Sequence, residues 1–124
     1  MATPNLPPAI EQQYKRLQQL SSQVRVLQTQ LTQLEHQLRE TETALKEIDN
    51  LDEGATVYKN VGMLFFKTEQ PVLKSELADR NETLDLRVKT LKKQEERSRE
   101  KFEELQERLR RQLAAHQEEG RIAG

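Results

Sequence analysis

Two runs of seven-residue hydrophobic repeat, separated by a short β-prone segment, constrain this chain more than any other feature. In each run, apolar residues recur at alternating steps of three and four. The seam positions are Ile10, Leu17, Leu20, Val24, Leu27, Leu31, Leu34, Leu38, Thr41, Leu45 and Ile48, and then Leu77, Asn81, Leu84, Val88, Leu91, Glu95, Ser98, Phe102, Leu105 and Leu109. A stripe with a period of 3.5 residues is typical of helices that wind around another helix. The repeats therefore predict two long helices packed along a narrow seam, with little globular core.

The ends of the predicted elements follow from local start and stop signals. Pro8 suits a first helical position, where its missing N–H needs no partner, and residues 49–54 carry polar groups and a glycine that stop a helix. We predict helix one over residues 8–50, a β-hairpin over 55–67 and helix two over 69–119, with flexible ends at 1–7 and 120–124. The chain is then one mainly α domain over residues 1–124. It is a long antiparallel coiled-coil helical hairpin with one β-hairpin inserted at its closed end.

Composition excludes several classes of protein. The 124 residues are 33% charged with a net charge of −1, so no overall field attracts nucleic acid or an anionic membrane. There is no cysteine, which excludes a disulfide framework, a zinc-thiolate site and a cysteine nucleophile. The longest apolar run, residues 61–66, is too short to span a bilayer, and residues 1–5 do not resemble a signal peptide. We therefore expect a cytoplasmic protein with neither nucleic acid nor membrane as a partner.

The side chains that usually carry chemistry are scattered along the predicted helices. His36 and His116 each lack a second histidine three or four residues away, so the sequence predicts no metal site. No glycine-rich phosphate loop is present, and the many carboxylates have no cleft that would shift their pKa values. We expect a protein that is not an enzyme, with no catalytic residue and no cofactor.

The predicted β-hairpin is the first candidate site. Residues 55–58 and 63–67 are β-prone and joined by residues 59–62, and the pattern places Met63 and Phe65 on one face and Leu64 and Phe66 on the other. A lone hairpin is marginally stable and leaves two open edges. We therefore expect several chains to pair their hairpins into a shared sheet or barrel; the alternative is a hairpin that caps its own coiled coil. The candidate oligomerisation residues are Val57, Tyr58, Val61, Met63, Leu64, Phe65 and Phe66.

The open end of the coiled coil is the second candidate site. Antiparallel pairing brings the start of helix one to the end of helix two, and seam partners run out beyond Ile10. Exposed apolar patches usually mark binding sites; the alternative is ordinary seam packing with frayed ends. The candidate binding residues at this tip are Leu6, Ile10, Tyr14, Leu113 and Ile122.

Three seam positions of helix two are polar, namely Asn81, Glu95 and Ser98. Either they lie at the wet margin of the seam, or they fix its register at a cost in stability. A charged Glu95 would not be buried without a partner.

Local sequence adds a resemblance to a known family. The run Val57-Tyr58-Lys59-Asn60-Val61-Gly62, followed by Met63–Phe66 and Lys67, resembles the prefoldin beta subunit, most closely the archaeal kind. The segments Asn5-Leu6-Pro7-Pro8 and Lys93-Gln94-Glu95-Glu96-Arg97 are similar to that family as well. A single hairpin is similar to the beta class, because the alpha class carries two.

The resemblance implies a hetero-hexamer with a prefoldin alpha subunit and other beta subunits. Their hairpins would form a double β-barrel hub, with coiled-coil tentacles hanging from it. The tips would hold unfolded client proteins without ATP and pass them to a group II chaperonin. By position, the seven hairpin residues would belong to the hub and the five tip residues would contact clients. The alternative is a structural coiled-coil adaptor without chaperone activity.

Overall fold

The computed structural model describes residues 6–123, with side chains described as far as Arg121. Helix α1 spans Pro8–Asp49, strand β1 Val57–Val61, strand β2 Leu64–Thr68 and helix α2 Gln70–Ala123. The two strands form one antiparallel sheet between the two long helices. The predicted architecture, a helical hairpin with one inserted β-hairpin, is confirmed.

Helix α1 begins and ends where its backbone groups find local partners. The carbonyl oxygen of Pro7 accepts the N–H groups of Ile10 and Glu11 at 2.9 and 3.1 Å. At the other end, the N–H of Leu51 donates to the carbonyl of Ile48 at 3.1 Å, a tightened last turn. A turn closed by the N–H of Ala55 then leads the chain towards β1.

The turn of the hairpin sets the register of both strands. Val61 pairs with Leu64, so Gly62 and Met63 form a two-residue loop. Gly62 has a φ of 62°, whereas the φ of Met63 is negative. That combination is typical of a type II′ turn, whose backbone twist matches that of the flanking strands. The predicted link therefore belongs mostly to β1, and Met63 lies in the turn instead of sharing a strand face with Phe65.

Helix α2 runs further than the sequence predicted. Its expected end was Glu119, before Gly120, but the helix continues to Ala123. Gly120 does not take a positive φ, so it stays in the right-handed helical conformation. A glycine inside a helix costs about 1 kcal/mol relative to alanine but creates no clash. The helix therefore continues through it.

The chain divides into two compact units. The hairpin unit comprises residues 30–91, and its buried side chains are Thr41, Val57, Leu84 and Val88. Within it, Ile48 lines a cavity with Leu73 and Leu77, whereas Leu34 lines a groove with Leu91, so the helices run antiparallel.

The terminal unit comprises residues 6–29 and 92–123 of the described chain, and its buried side chains are Ile10, Leu20, Glu95 and Leu109. No described side chain in either unit falls below 2% exposure. Each unit is therefore held by a thin seam and not by a globular core.

Candidate functional site

The hairpin exposes a dense group of large apolar side chains. Met63 at the turn is 96% exposed and Phe65 on β2 is 71% exposed. We call this surface the hairpin patch, and its six members are Tyr58, Val61, Met63, Leu64, Phe65 and Phe66. So much exposed apolar surface on one short hairpin is uncommon on a monomeric protein. The hairpin patch is therefore the strongest candidate interface of the hairpin unit.

The strand register divides the hairpin into two faces. One face carries the pairs Lys59–Phe66 and Val61–Leu64, and the other carries Tyr58–Lys67 and Asn60–Phe65. The first face turns towards helix α2, because Lys59 Nζ lies 2.8 Å from Glu76 Oε2. On the second face, Tyr58 and Phe65 are 60% and 71% exposed. The hairpin therefore folds back only at its base and presents its remaining surface outward.

Val57 differs from the other predicted hub residues. Its side chain is only 8% exposed and lines a cavity with Ile48, Leu73 and Leu77. As the first residue of β1, it lies on the face that turns towards the helices. Val57 therefore packs inside its own chain and has little surface to offer a second subunit.

Polar contacts fix the base of the hairpin, and sequence patterns had not indicated them. The amide Nε2 of Gln70 donates to the carbonyls of Asp52 at 2.8 Å and Ala55 at 2.7 Å. Lys74 forms an ion pair with Asp49, which joins the start of α2 to the end of α1. These partners lie far apart in sequence and outside the heptad pattern, so no periodicity marks them.

The tip residues differ in how far the terminal unit covers them. Tyr14 is 44% exposed, and Leu6 and Leu113 are half-buried. Ile10 is only 7% exposed, against the expectation that its seam partners run out. The groove that brings Leu27 beside Ser98 sets a register in which Ile10 lies opposite Ala115. Because α2 continues past that point, it covers Ile10.

The fifth predicted tip residue, Ile122, has a side chain that lies outside the described residues. The predicted flexible ends fall partly outside them as well, at residues 1–5 and 124. The surface that remains at the tip is formed by Tyr14 with Leu6 and Leu113.

Two glutamines interrupt the seam near the tip. Gln13 lies one heptad before Leu20, and Gln112 lies one heptad after Leu105. In the register of the terminal unit they are opposite each other, and the Oε1 atom of each is buried without a hydrogen-bond partner. A buried acceptor left unpaired costs about 1–3 kcal/mol. The last part of the seam is therefore weaker than its length suggests.

A small ion-pair network lies on the surface of α2 in the same unit. Arg110 donates to Glu107 through Nη2 at 2.6 Å and through Nε at 3.1 Å, and Arg111 approaches the same carboxylate at 3.3 Å. The hydrogen bonds from Arg110 are the main reason that the pKa of Glu107 lies below its ordinary value. The two arginine side chains are about three-quarters exposed, so the network has the character of a solvated helix face.

Across residues 6–123, no three or more histidine, aspartate or glutamate side chains come together as ligands for a metal ion. Over the same residues, neither helix contains a stretch long and apolar enough to cross a membrane.

Comparison with known proteins extends over almost the entire chain. The family described as "Prefoldin subunit" matches residues 11–116. A prefoldin subunit beta from Methanothrix thermoacetophila is 42% identical over 108 residues, which cover 87% of this chain and 90% of that protein. Another from Methanosarcina acetivorans is 42% identical over 111 residues, which cover 90% and 95%.

Among solved structures, the crystal structure of the prefoldin beta subunit from Thermococcus strain KS-1 is similar with a TM-score of 0.78 and 32% sequence identity. The match covers 90% of this chain and 97% of that one. The similarity therefore concerns both helices and the hairpin together.

Proposed function

Because this chain belongs to the prefoldin subunit family, as a member of its beta class, we propose that it is a subunit of an ATP-independent molecular chaperone. In this proposal it works in the cytoplasm as one prefoldin-like domain. It joins a prefoldin alpha subunit and other beta subunits in a hetero-hexamer through its hairpin. Its tips hold unfolded client proteins and deliver them to a group II chaperonin. It performs no catalysis and needs no cofactor, nucleic acid or membrane.

The hairpin patch is the observation that carries the proposal. Six large apolar side chains are at least half exposed on a two-stranded sheet with open edges. Covering them all gains roughly 10 kcal/mol, taking about 1.5–3 kcal/mol for each fully buried side chain and discounting for partial exposure. Association costs about 4–15 kcal/mol, so a single pairing is marginal. A closed assembly, in which each hairpin contacts two neighbours, resolves this better.

Assembly is tested with variants of the hairpin patch. Phe65→Ser and Leu64→Ser should each prevent a complex with a prefoldin alpha subunit, as measured by native mass spectrometry, while circular dichroism shows unchanged helix content. Leu86→Ser on α2 is the matched control, because Leu86 is also exposed, at 59%, in the same unit. Complexes of unchanged mass with both hairpin variants would refute the hub.

The tip supplies the support for client binding. Tyr14 and the half-buried Leu6 and Leu113 offer a small apolar surface, and the unpaired Oε1 atoms of Gln13 and Gln112 weaken the seam beside it. One such tip binds weakly, but several tips in one assembly gain avidity for a single unfolded chain. Weak individual contacts also permit release without a nucleotide.

Client binding is tested by removing apolar surface at the tip. Tyr14→Ser combined with Leu113→Ser should reduce the suppression of aggregation of a denatured protein without ATP, while the oligomer stays intact. Deleting residues 1–10 and 113–124 should abolish suppression. Leu51→Ser is the control, since Leu51 is 43% exposed and Tyr14 is 44% exposed. Full suppression by the deletion variant would exclude the tips.

A structural adaptor is the second candidate function, and the burial of Ile10 favours it. That burial removes one of the predicted client contacts and leaves most of the exposed apolar surface on the hairpin. An adaptor would bind a folded partner tightly and give no protection to denatured proteins. The aggregation assay therefore separates the two functions.

A further inference from the structure

A groove on the terminal unit has a chemical character that neither the hairpin nor the tip explains. Ser98 occupies a seam position that Leu91 and Leu105 occupy one heptad to either side. It lines a groove of about 540 Å³, with Leu27 of α1 among the other lining residues. We call it the Ser98 groove.

The rim contributed by α1 is unusual for its position. Val26 is 55% exposed there, whereas the residues one heptad away on either side are Gln19 and Gln33. Valine has a lower helix propensity than glutamine, and exposing its apolar side chain to water is unfavourable. Val26 therefore adds an aliphatic wall to the groove where the repeat otherwise has amides.

The rim contributed by α2 carries positive charge. Arg97 and Lys101 line the groove one helical turn apart, and no acidic residue lines it. Neither cation forms an ion pair with a described residue, in contrast to Arg99, which pairs with Glu95. The groove thus combines an aliphatic recess with two free cations on one edge.

We propose that the Ser98 groove binds a short acidic amphipathic helix of another protein. One aliphatic side chain of that helix fills the recess between Leu27 and Ser98, beside Val26. Two carboxylates spaced at i and i+4 match the spacing of Arg97 and Lys101. Charge complementarity selects this occupant over a basic or purely apolar segment. The site shares no residue with the hairpin patch or the tip, so it is independent of the proposed chaperone function.

The interaction is weak and depends on salt. Exposed ion pairs contribute little individually and are screened as ionic strength rises. Among the residues that line the groove only Val26 and Leu27 are apolar, so the apolar contact it offers is small. The site therefore suits reversible docking that a second contact elsewhere reinforces.

The test uses the whole chain of residues 1–124, with methyl-labelled valine and leucine observed by NMR. The probe is a short synthetic helical peptide with leucines on one face and glutamates beside them. A matched peptide has lysine in place of every glutamate. We expect the acidic peptide, and not the basic one, to shift the methyl signals of Val26 and Leu27. Raising NaCl from about 50 to 500 mM should weaken that binding.

Charge reversal locates the contact. Arg97→Glu and Lys101→Glu should each weaken binding about threefold to tenfold. Lys92→Glu is the matched control, since Lys92 is exposed in the same unit and lies on the opposite side of α2, about 140° and 180° from the two cations by helix geometry. Equal weakening by Lys92→Glu would show only a general charge effect and would overturn the proposal.

Filling the recess gives a variant that keeps the fold. Ser98→Leu restores the heptad leucine, so we expect an unchanged or higher thermal midpoint together with loss of peptide binding. Unchanged binding to Ser98→Leu, equal binding of the basic peptide, or shifts confined to the hairpin or to leucines at the tip would each overturn the proposal.

Discussion

Two buried polar residues of the seam, Glu95 and Thr41, find their partners along their own helix and not across it. Glu95 is 8% exposed, and both of its carboxylate oxygens accept from Arg99 Nε, at 3.0 and 3.2 Å. The hydroxyl of Thr41, 5% exposed, donates to the carbonyl of Gln37 at 2.9 Å. Of the two interpretations of the polar seam, a wet margin does not describe Glu95. Its partner one turn along α2 is what allows a carboxylate to be buried there.

Removing that partner should destabilise the seam. Arg99→Ala leaves the buried carboxylate of Glu95 without its ion pair, so we expect the free energy of unfolding to fall by about 1–2 kcal/mol. A fully buried pair loses about 3–5 kcal/mol, but Arg99 is 47% exposed and solvent screens part of the effect. Urea denaturation at fixed protein concentration measures the change.

Arg97→Ala is the control for that experiment. It removes an equally long side chain from the same stretch of α2 without breaking an ion pair, and should change stability by less than about 0.5 kcal/mol. Equal losses in the two variants would mean that packing of the arginine stem, and not the charge pair, matters.

The carboxyl group of Glu107 should titrate below its ordinary range, because Arg110 stabilises its charged form. With a lower pKa in the folded state, the ion pair stabilises the protein above the unfolded-state pKa. That stabilisation is lost as the pH falls through the folded-state pKa. Arg110→Ala should raise the midpoint, observed by carboxyl NMR, more than Arg111→Ala does. A larger rise with Arg111→Ala would contradict this ranking.

Single residues show where a sequence pattern stops being informative. The sequence pattern placed Ile10 in the helix seam and Val57 in the hairpin, both near the ends of their elements. It could not give their burial, which depends on how far α2 continues and on which hairpin face turns towards the helices. The contacts of Gln70 and Glu76 could not be predicted from local patterns, because their hydrogen-bond partners lie 15 to 18 residues away in the sequence.

At the scale of elements, heptad spacing was sufficient to predict both helices. In a chain this polar, a narrow apolar stripe is buried most simply by packing one helix against another. The hairpin was also predictable, but its turn was placed too early. Among residues 6–123, only Gly62 takes the positive φ that a two-residue loop requires, and this fixes the register of both strands. Gly120 was expected to mark the end of helix two, but a helix can continue through a glycine, and α2 extends to Ala123.

Gly62→Ala should therefore disturb the hairpin. An alanine forced to φ near 62° costs about 1–2 kcal/mol, so we expect weaker assembly with a prefoldin alpha subunit and a lower thermal midpoint. Gly54→Ala is the matched control, because Gly54 has no positive φ and both glycines have free space for a Cβ atom. Equal loss from the two variants would remove the turn from the explanation.

At the scale of the whole molecule, fold and family could be predicted from the sequence because two heptad runs and one hairpin motif cover nearly the whole chain. The surfaces were harder to predict. Both predicted sites consist of apolar residues near one end of the helical hairpin. The exposure of these residues differs greatly, from 96% for Met63 in the hairpin to 7% for Ile10 at the tip. Relative exposure depends on tertiary coverage, which no local pattern encodes.

Stability should depend on the partner more than in a globular protein. A ligand that binds only the folded state stabilises it by about 2.7 kcal/mol at a hundredfold excess over Kd. We expect the thermal midpoint of this chain at fixed concentration to rise steadily as a prefoldin alpha subunit is added. The Phe65→Ser variant should show no rise. A midpoint independent of the alpha subunit would contradict assembly through the hairpin.

The contacts of Gln70 have a consequence for the thermodynamics of assembly. They join the segment that enters the hairpin to the helix that leaves it, and the pair of Lys59 with Glu76 adds a third attachment. The direction of the hairpin is thus set before any partner arrives, so association does not bear the full entropy of ordering it. Gln70→Ala should lower the rate constant for association with a prefoldin alpha subunit while leaving the apolar surface of the hairpin intact. This single amide would then act as a kinetic determinant of assembly.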